Sequence, residues 1–212
     1  QWEQTIGPDR FTFINAGVNG DLAWNGLQRL DDVIACKPDY VTVLLGTNDV
    51  NALSSKENLQ RYCKDQGIPQ TPDEQWYREN LSAIVTRLLR ETDAEVAVLS
   101  IPPVGEDPEH PAFARSMRYG QIAKDIAEAH GAGYLPLGET MVRALEAHPR
   151  PGKARDSHRH SAVIAAAVRR YMLKQSYTAI SRKNGHLLLT DHLHLNETGA
   201  GMVADVIEGF LR

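Results

Sequence analysis

The sequence contains few cysteines and no long apolar run, and both absences exclude classes of protein. Its two cysteines, Cys36 and Cys63, lack the spacing of metal ligands and are too few for the disulfide framework of a small secreted scaffold. We expect Cys36, which lies in an apolar stretch, to be a buried thiol. No apolar run approaches the ~18 residues of a membrane span, so we expect no integral membrane contact. The opening residues QWEQTIGPDR do not resemble a signal peptide and include no initiator Met, which leaves the compartment open.

An excess of charge of either sign is also absent. The chain has 27 acidic and 23 basic residues and a net charge of -4, which gives no general attraction to nucleic acid or to an anionic membrane. The glycine-rich patterns that bind nucleotide phosphates are missing as well. We therefore expect a small-molecule substrate, no cofactor and no metal. With 42% hydrophobic residues, the chain can fill the core of one domain, residues 1–212.

Short apolar runs alternate with helical patterns along the chain. The apolar runs predict four strands: 11–15 (FTFIN), 39–46 (DYVTVLLG), 94–101 (AEVAVLSI) and 132–137 (AGYLPL). Apolar residues recurring every three or four positions predict helices over 22–35, 73–90, 112–130 and 203–211. This alternation indicates the α/β class, with a three-layer α/β/α arrangement around a parallel, flavodoxin-like sheet. Ligands of such sheets bind beyond the carboxyl ends of the strands, so the turns there are where a site is expected.

The alternation is interrupted over roughly residues 140–188, which we interpret as an insertion. Residues 148–160 (HPRPGKARDSHRH) are rich in proline and basic residues and are expected to form a solvated loop. Residues 161–176 have an amphipathic pattern that is typical of a packed helix. The alternative for this segment is a lid or wall over the site that contacts the substrate.

The residues with catalytic potential lie in the turns after the strands and in one loop near the end of the chain. In LLTDHLHLNETGAGM (188–202), Asp191 precedes His194 by three positions, just ahead of a helical pattern. A carboxylate that accepts from one imidazole nitrogen leaves the other nitrogen as a general base for a nucleophile. Asn48, in GTND, could donate its side-chain amide, and Gly20, in NAGVNGD, could donate its backbone N–H. Two such donors are enough for an oxyanion hole.

In this order, the motifs together resemble the SGNH hydrolases, the GDSL-type esterase and lipase family. Gly20 matches the oxyanion glycine of the family's second block, Asn48 matches the asparagine of the third, and Asp191 and His194 match the Asp-x-x-His of the fifth. The resemblance covers nearly the whole chain apart from the insertion. It implies the SGNH hydrolase fold and a serine esterase. Such an enzyme would cleave carboxylic esters, such as acetyl or short acyl groups on a small molecule or carbohydrate, through an acyl-enzyme.

The family's first block, Gly-Asp-Ser, has no match in this sequence. That block carries the nucleophile and precedes the second block, but residues 1–14 contain no serine. We therefore expect the nucleophile upstream of residue 1 and not in this chain. It would lie on ~25–40 further residues, a typical strand–loop–helix length, which are truncated here or carried by a separate N-terminal segment of the same protein.

The serines and other histidines within the chain have structural interpretations. Ser100, at the end of a predicted strand, is expected to be a buried polar residue rather than a nucleophile. Ser54 and Ser55 are interpreted as helix N-caps, and Ser157 and Ser161 as residues of the insertion. His186 and His192 are interpreted as loop or partly buried histidines.

Two alternatives to an esterase remain open at this point. The first is a catalytically dead binding or scaffold protein on the SGNH fold, in which the first block is lost. The second is a flavodoxin-like ligand-binding domain, in which the Asp-x-x-His pattern occurs by chance and a bound flavin or nucleotide would be detected by its absorbance.

Overall fold

A computed structural model describes residues 12–148 and 160–212 of the chain. In chain order, its elements are α1 (Ala23–Gln28), α2 (Leu30–Ala35), β1 (Tyr40–Val43), α3 (Thr47–Ala52), α4 (Lys56–Asp65), α5 (Glu74–Glu91), β2 (Glu95–Leu99), α6 (Pro111–His130), β3 (Gly133–Leu135), α7 (Leu137–Ala147), α8 (His160–Tyr171), α9 (Tyr177–Asn184) and α10 (Glu197–Phe210). Within these ranges, no helix combines the length and the apolar character that crossing a membrane requires.

The three strands form one parallel sheet in the order β1-β2-β3. Tyr40 pairs with Glu95 in the first ladder, and Val98 pairs with Tyr134 in the second. The sequence predicted these three strands, each with wider bounds than the structure shows. Because the strands are parallel, their carboxyl ends meet at one edge, and the segments that follow them lie near one another.

Helices cover both faces of the sheet. Val96 and Val98 of β2 pack on one face with the apolar sides of α1, α2, α5 and α6. Leu99 faces the other side, where α7 and α10 supply Leu137, Met141 and Val206. This alternation along β2 buries both faces of the strand, and the three-layer α/β/α prediction is confirmed.

The predicted strand at 11–15 is wrong for its described residues. Residues 12–18 have no regular structure, and the side chains of Phe13 and Ile14 are 57% and 62% exposed. β1 pairs only with β2 in the described sheet, so residues 12–15 have no ladder partner there. A β-branched and aromatic composition favours a strand only where a neighbouring strand receives its backbone hydrogen bonds.

The single helix predicted over 22–35 is divided into α1 and α2 at Arg29. The Arg29 side chain turns back along the chain, where Nε donates to Asp21 Oδ2 at 2.7 Å and Nη1 donates to the Ala16 carbonyl at 2.5 Å. These contacts hold residues 16–21 against the helices. The break in the helix therefore fixes the segment that contains Gly20.

Other differences from the sequence predictions are local. Helix α10 begins at Glu197, six residues before the predicted start, because Asn196 caps it by accepting from the N–H groups of Thr198 and Gly199. Cys36 is exposed rather than buried, since it follows the last residue of α2.

The segment interpreted as an insertion is described only in part. Residues 140–147 form the end of α7, and residues 149–159 of the expected solvated loop lie outside the described residues. The helix predicted over 161–176 is present as α8, but Ile164 and Val168 of its apolar stripe are exposed. The expectation that this stripe packs on a core is therefore wrong for these two residues.

Candidate active site

Asp191 and His194 form a hydrogen-bonded pair. Asp191 Oδ2 lies 2.9 Å from His194 Nδ1, while Asp191 Oδ1 accepts from the backbone N–H groups of Leu193 at 2.7 Å and His194 at 2.9 Å. The Asp191 side chain is only 2% exposed, whereas that of His194 is 48% exposed. The backbone of the loop therefore holds the Asp191 carboxylate in place, and the Nε2 edge of the His194 imidazole remains available to a reacting group.

The loop that carries this pair is closed by backbone contacts at its base. Leu189 forms an antiparallel bridge with Leu195, and the Thr190 N–H donates to the His194 carbonyl at 2.7 Å. Asn196 ends the loop, and its side-chain amide donates to the Leu187 carbonyl at 2.9 Å. The three-residue spacing of the motif therefore fits one tight loop.

The electrostatics of the pair suit a general base. Burial alone would raise the pKa of Asp191, but hydrogen bonds from the His194 ring and from the backbone of the loop outweigh it and hold that pKa below its usual 3.8. The hydrogen bond to Asp191 raises the pKa of His194 above 6.5 and outweighs the opposing effect of burial. An imidazolium that forms during a reaction would therefore be stabilised by Asp191.

The structure also brings the Gly20 and Asn48 segments together. Asn48 lies in the first turn of α3, not in the loop that the sequence suggested, and its Nδ2 donates to the Asp21 carbonyl at 2.8 Å. Gly20 has a φ of 88°, and a Cβ there would lie 2.4 Å from Gln66 Nε2. Any residue other than glycine would strain this turn and would displace the Gln66 side chain. The amide group of Asn48 has a second hydrogen that remains for another acceptor.

A chain of buried polar side chains orients Asn48. The Tyr62 hydroxyl donates to Asn48 Oδ1 at 2.7 Å and accepts from Asn51 Nδ2 at 3.0 Å. Asn58 Nδ2 in turn lies 3.3 Å from Asn51 Oδ1. Because Oδ1 of Asn48 is engaged by the hydroxyl, the amide nitrogen is directed to the Asp21 side. Tyr62 and Asn51 were not predicted from the sequence, although Asn51 follows Asn48 by about one helical turn.

The neighbouring Asp49 is a buried carboxylic acid. Its Oδ2 accepts from the Ala23 N–H at 3.2 Å, which ties α3 to the start of α1. Burial raises the pKa of Asp49 to about 7, against the lowering effect of that backbone hydrogen bond. The segment between Gly20 and α1 is thus attached to α3 by both Asn48 and Asp49.

The segment after β2 contacts the loop of the Asp191/His194 pair. The Gly105 N–H donates to the His192 carbonyl at 2.7 Å, and the buried carboxylate of Glu106 accepts from the N–H groups of residues 187–189. Glu106 was not predicted as a site residue from the sequence. Glu106 lies seven residues after the end of β2, and its partners are more than 80 positions away, so no local pattern marked it.

The structure also describes most of the other serines and histidines that the sequence offered as candidates. Ser100 is buried, donates to Glu139 Oε2 at 2.5 Å and accepts from the Gly138 N–H at 2.9 Å, as expected of a buried polar residue. Ser55 caps α4, whereas Ser54 donates to the Val50 carbonyl instead of capping a helix. Of the other candidates, Ser161 is exposed, whereas His186 and His192 are buried. Ser157 lies outside the described residues.

Over the described ranges, no three His, Cys, Asp or Glu side chains form a group that could hold a metal ion. Nor does any serine there hydrogen-bond to His194, whose ring contacts Asp191.

Comparison with known proteins gives consistent results. The model of the GDSL-like lipase/acylhydrolase family matches residues 2–201. An acetylxylan esterase of Geobacillus stearothermophilus is 29% identical over 119 residues, which is 54% of this chain and 49% of that relative. The chain thus spans about half of the length of this curated relative.

Solved structures share the fold at low sequence identity. The acetylxylan esterase Axe2 of Geobacillus stearothermophilus has a TM-score of 0.63 at 16% identity, covering 97% of this chain and 74% of that one. The acetyl xylan esterase AlAXEase has a TM-score of 0.66 at 18% identity, covering 100% and 86%. LAE5, an α/β hydrolase enzyme from the metagenome of Lake Arreo in Spain, has a TM-score of 0.64 at 20% identity, covering 97% and 75%.

Proposed function

The chain belongs to the GDSL-like lipase/acylhydrolase family, and from this premise we propose that it acts as a serine esterase that hydrolyses carboxylic esters. The observation that carries the proposal is the Asp191–His194 pair, with a buried carboxylate behind a half-exposed imidazole. Neither the dead-enzyme nor the flavodoxin-like alternative gives a chemical reason for this arrangement.

In the proposed mechanism, a serine hydroxyl attacks the ester carbonyl carbon while His194 Nε2 takes its proton. Asp191 holds the imidazole through Nδ1 and stabilises the positive charge that forms on it. The carbonyl oxygen becomes an oxyanion, which accepts from the Gly20 N–H and from the free amide hydrogen of Asn48. The C–O bond then breaks, His194 returns its proton to the departing alcohol, and water hydrolyses the acyl-enzyme by the same steps.

The nucleophile is proposed to lie on a segment that precedes residue 1. Two observations support this placement: no described serine hydroxyl contacts His194, and the Ser100 hydroxyl is directed to Glu139.

The substrate is proposed to be a small-molecule or carbohydrate ester, with acetyl as the acyl group, because the curated relative is an acetylxylan esterase. With a net charge of -4, nucleic acid is not an expected partner.

The proposal is tested on the complete protein, including any segment before residue 1. We expect His194→Ala to lower kcat for p-nitrophenyl acetate on the order of 10⁴- to 10⁶-fold, because no other group takes the serine proton. His130→Ala is the matched control, since His130 is an exposed histidine at the end of α6 that contacts Ser82 Oγ at 2.8 Å and lacks a carboxylate partner in the described contacts. Near-normal kcat in His194→Ala would refute the proposed role.

The nucleophile is located by a fluorophosphonate probe and intact-protein mass. We expect one adduct on the complete protein, on a serine before residue 1, and none on residues 1–212 alone. An adduct on a serine within residues 1–212 would contradict the placement and leave the esterase proposal intact.

A further inference from the structure

Glu106 is a buried carboxylate that hydrogen-bonds to the backbone just before the Asp191/His194 loop. It is 0% exposed, and it accepts from three consecutive backbone N–H groups: Leu187 at 2.8 Å, Leu188 at 2.7 Å and Leu189 at 2.8 Å. These residues are 81 to 83 positions away in the sequence. A buried carboxylate is costly unless its oxygens are hydrogen-bonded, so this arrangement strongly favours one position of the segment.

The segment held by Glu106 leads directly into the loop. Leu189, the last of its three partners, forms the bridge with Leu195 that closes the loop, and His194 lies one residue before Leu195. On the other side, the neighbouring Gly105 N–H donates to the His192 carbonyl at 2.7 Å, between Asp191 and His194. The turn after β2 therefore contacts the loop both at its base and near its tip.

We propose that Glu106 is a positioning residue that sets the location and direction of the His194 imidazole at the end of the sheet. This proposal rests on the proposed esterase function. Glu106 is fully buried behind the loop, so it acts through the backbone of residues 187–189 rather than through the substrate. It ties the segment that follows β2 to the segment that leads into the loop.

Glu106→Gln tests the proposal, because glutamine keeps the shape of the side chain but places an NH₂ group where one of the oxygens accepts. We expect kcat for p-nitrophenyl acetate to fall on the order of 10- to 100-fold, with a smaller change in KM, because the base is displaced from the reacting serine. Glu146→Gln makes the same chemical change on an exposed position of α7 and is expected to leave both constants unchanged.

A second measurement does not depend on turnover. The pKa of the His194 imidazole, measured by NMR on the complete protein, is expected to fall toward 6.5 in Glu106→Gln, because the loop no longer holds Nδ1 against Asp191. Asp191→Asn, which removes the charged partner directly, gives the reference for the full shift. A merely structural role for Glu106 would lower the melting temperature and leave the pKa of His194 in the folded protein unchanged.

The outcomes separate this proposal from the esterase assignment. If folded Glu106→Gln retains both the wild-type kcat and the wild-type pKa of His194, the positioning role is overturned. If the wild-type protein hydrolyses no ester but the pKa of His194 falls in the variant, the positioning role stands and the esterase function fails. Should Glu106→Gln not fold, Glu106→Asp, which keeps the charge on a side chain one methylene shorter, is measured by the same two criteria.

Discussion

The side-chain amide of Asn48 is oriented by a tyrosine hydroxyl that is not part of the GTND motif. Tyr62 is buried, and its hydroxyl donates to Asn48 Oδ1 at 2.7 Å. The asparagine can present its amide hydrogens to an oxyanion only when this oxygen points away from the site. At the scale of single residues, the proposed oxyanion hole therefore depends on Tyr62, which orients the donor, as well as on Asn48, which supplies it.

We expect Tyr62→Phe to lower kcat for ester hydrolysis roughly 10-fold while KM changes little. This is less than the ~10²–10³-fold cost of removing an oxyanion donor, because Asn48 remains but loses its orienting partner. The variant should also lose about 1–3 kcal/mol of unfolding free energy, since Asn48 Oδ1 and Asn51 Nδ2 lose a buried partner. Steady-state kinetics and urea unfolding measure the two effects.

Tyr119→Phe is the control for this change. Its hydroxyl is also buried and donates to the Pro72 carbonyl at 3.1 Å, away from Asn48. We expect a similar loss of stability and no change in kcat. An equal fall of kcat in both variants would show that the effect on Asn48 is not specific.

Which site residues the sequence could reveal depends on how far apart the partners lie in the chain. Asp191 and His194 were predictable because three positions place both in one loop, where the carboxylate also binds the backbone of that loop. Glu106 was not, because its partners lie more than 80 positions away and an isolated Glu in a turn has no distinguishing pattern. Tyr62 acts through the packing of α4 on α3, which periodicity alone does not predict.

At the scale of elements, the start of α3 requires glycine. Gly46 precedes the helix with a φ of 122°, and a Cβ there would lie 2.8 Å from the ring of the buried Tyr77. The Tyr77 hydroxyl donates to the Leu45 carbonyl at 3.0 Å, so the ring cannot move without losing this bond. The turn that precedes Asn48 and Asp49 therefore lies directly against a fixed aromatic ring.

We expect Gly46→Ala to destabilise the protein more than Gly67→Ala. Gly67 also has a positive φ, 62°, but a Cβ there would meet nothing within 4 Å. The control should therefore lose only the ~1–2 kcal/mol of the left-handed conformation, while Gly46→Ala adds about 1–3 kcal/mol from the forced contact with Tyr77. Urea unfolding followed by circular dichroism measures the difference, and equal losses would mean that α3 shifts freely.

Elements were predictable where the pattern and the packing agree. β1, β2 and β3 coincide with apolar runs because each is covered by helices or by a neighbouring strand, and α5 and α6 coincide with long apolar stripes. The prediction failed at residues 12–15, whose strand-like composition meets no described partner, and at Arg29, whose side-chain contacts interrupt a regular stripe. In both cases a tertiary contact, or its absence, outweighs local preference.

At the scale of the whole molecule, the contribution of Asp49 to stability and the activity that depends on His194 should respond to pH in opposite directions. His194 must be neutral to act as a base, and Asp191 raises its pKa above 6.5, so we infer that activity rises as the pH increases through this raised pKa. The ionisation of Asp49, by contrast, lowers the stability of the folded state as the pH rises. The pKa of this carboxyl is about 7 in the folded protein and near 3.8 in an unfolded chain, so the folded state keeps a proton that the unfolded state has lost over this interval.

The contribution of Asp49 to stability is therefore fully present below pH 3.8 and is lost as the pH rises to about 7. At ~1.4 kcal/mol for each pKa unit, the loss amounts to roughly 4 kcal/mol. We expect Asp49→Asn to remove this dependence, so that its unfolding free energy falls less than that of the wild type between about pH 4 and pH 8. The surface change Asp205→Asn should leave the wild-type dependence in place. Parallel stability curves for wild type and Asp49→Asn, measured by urea unfolding, would show that the buried carboxyl is ionised without cost. Curves that converge at low pH and separate up to about pH 7 would instead mean that the ionisation of the buried acid beside Asn48 destabilises the protein in the same direction of pH in which His194 loses its proton.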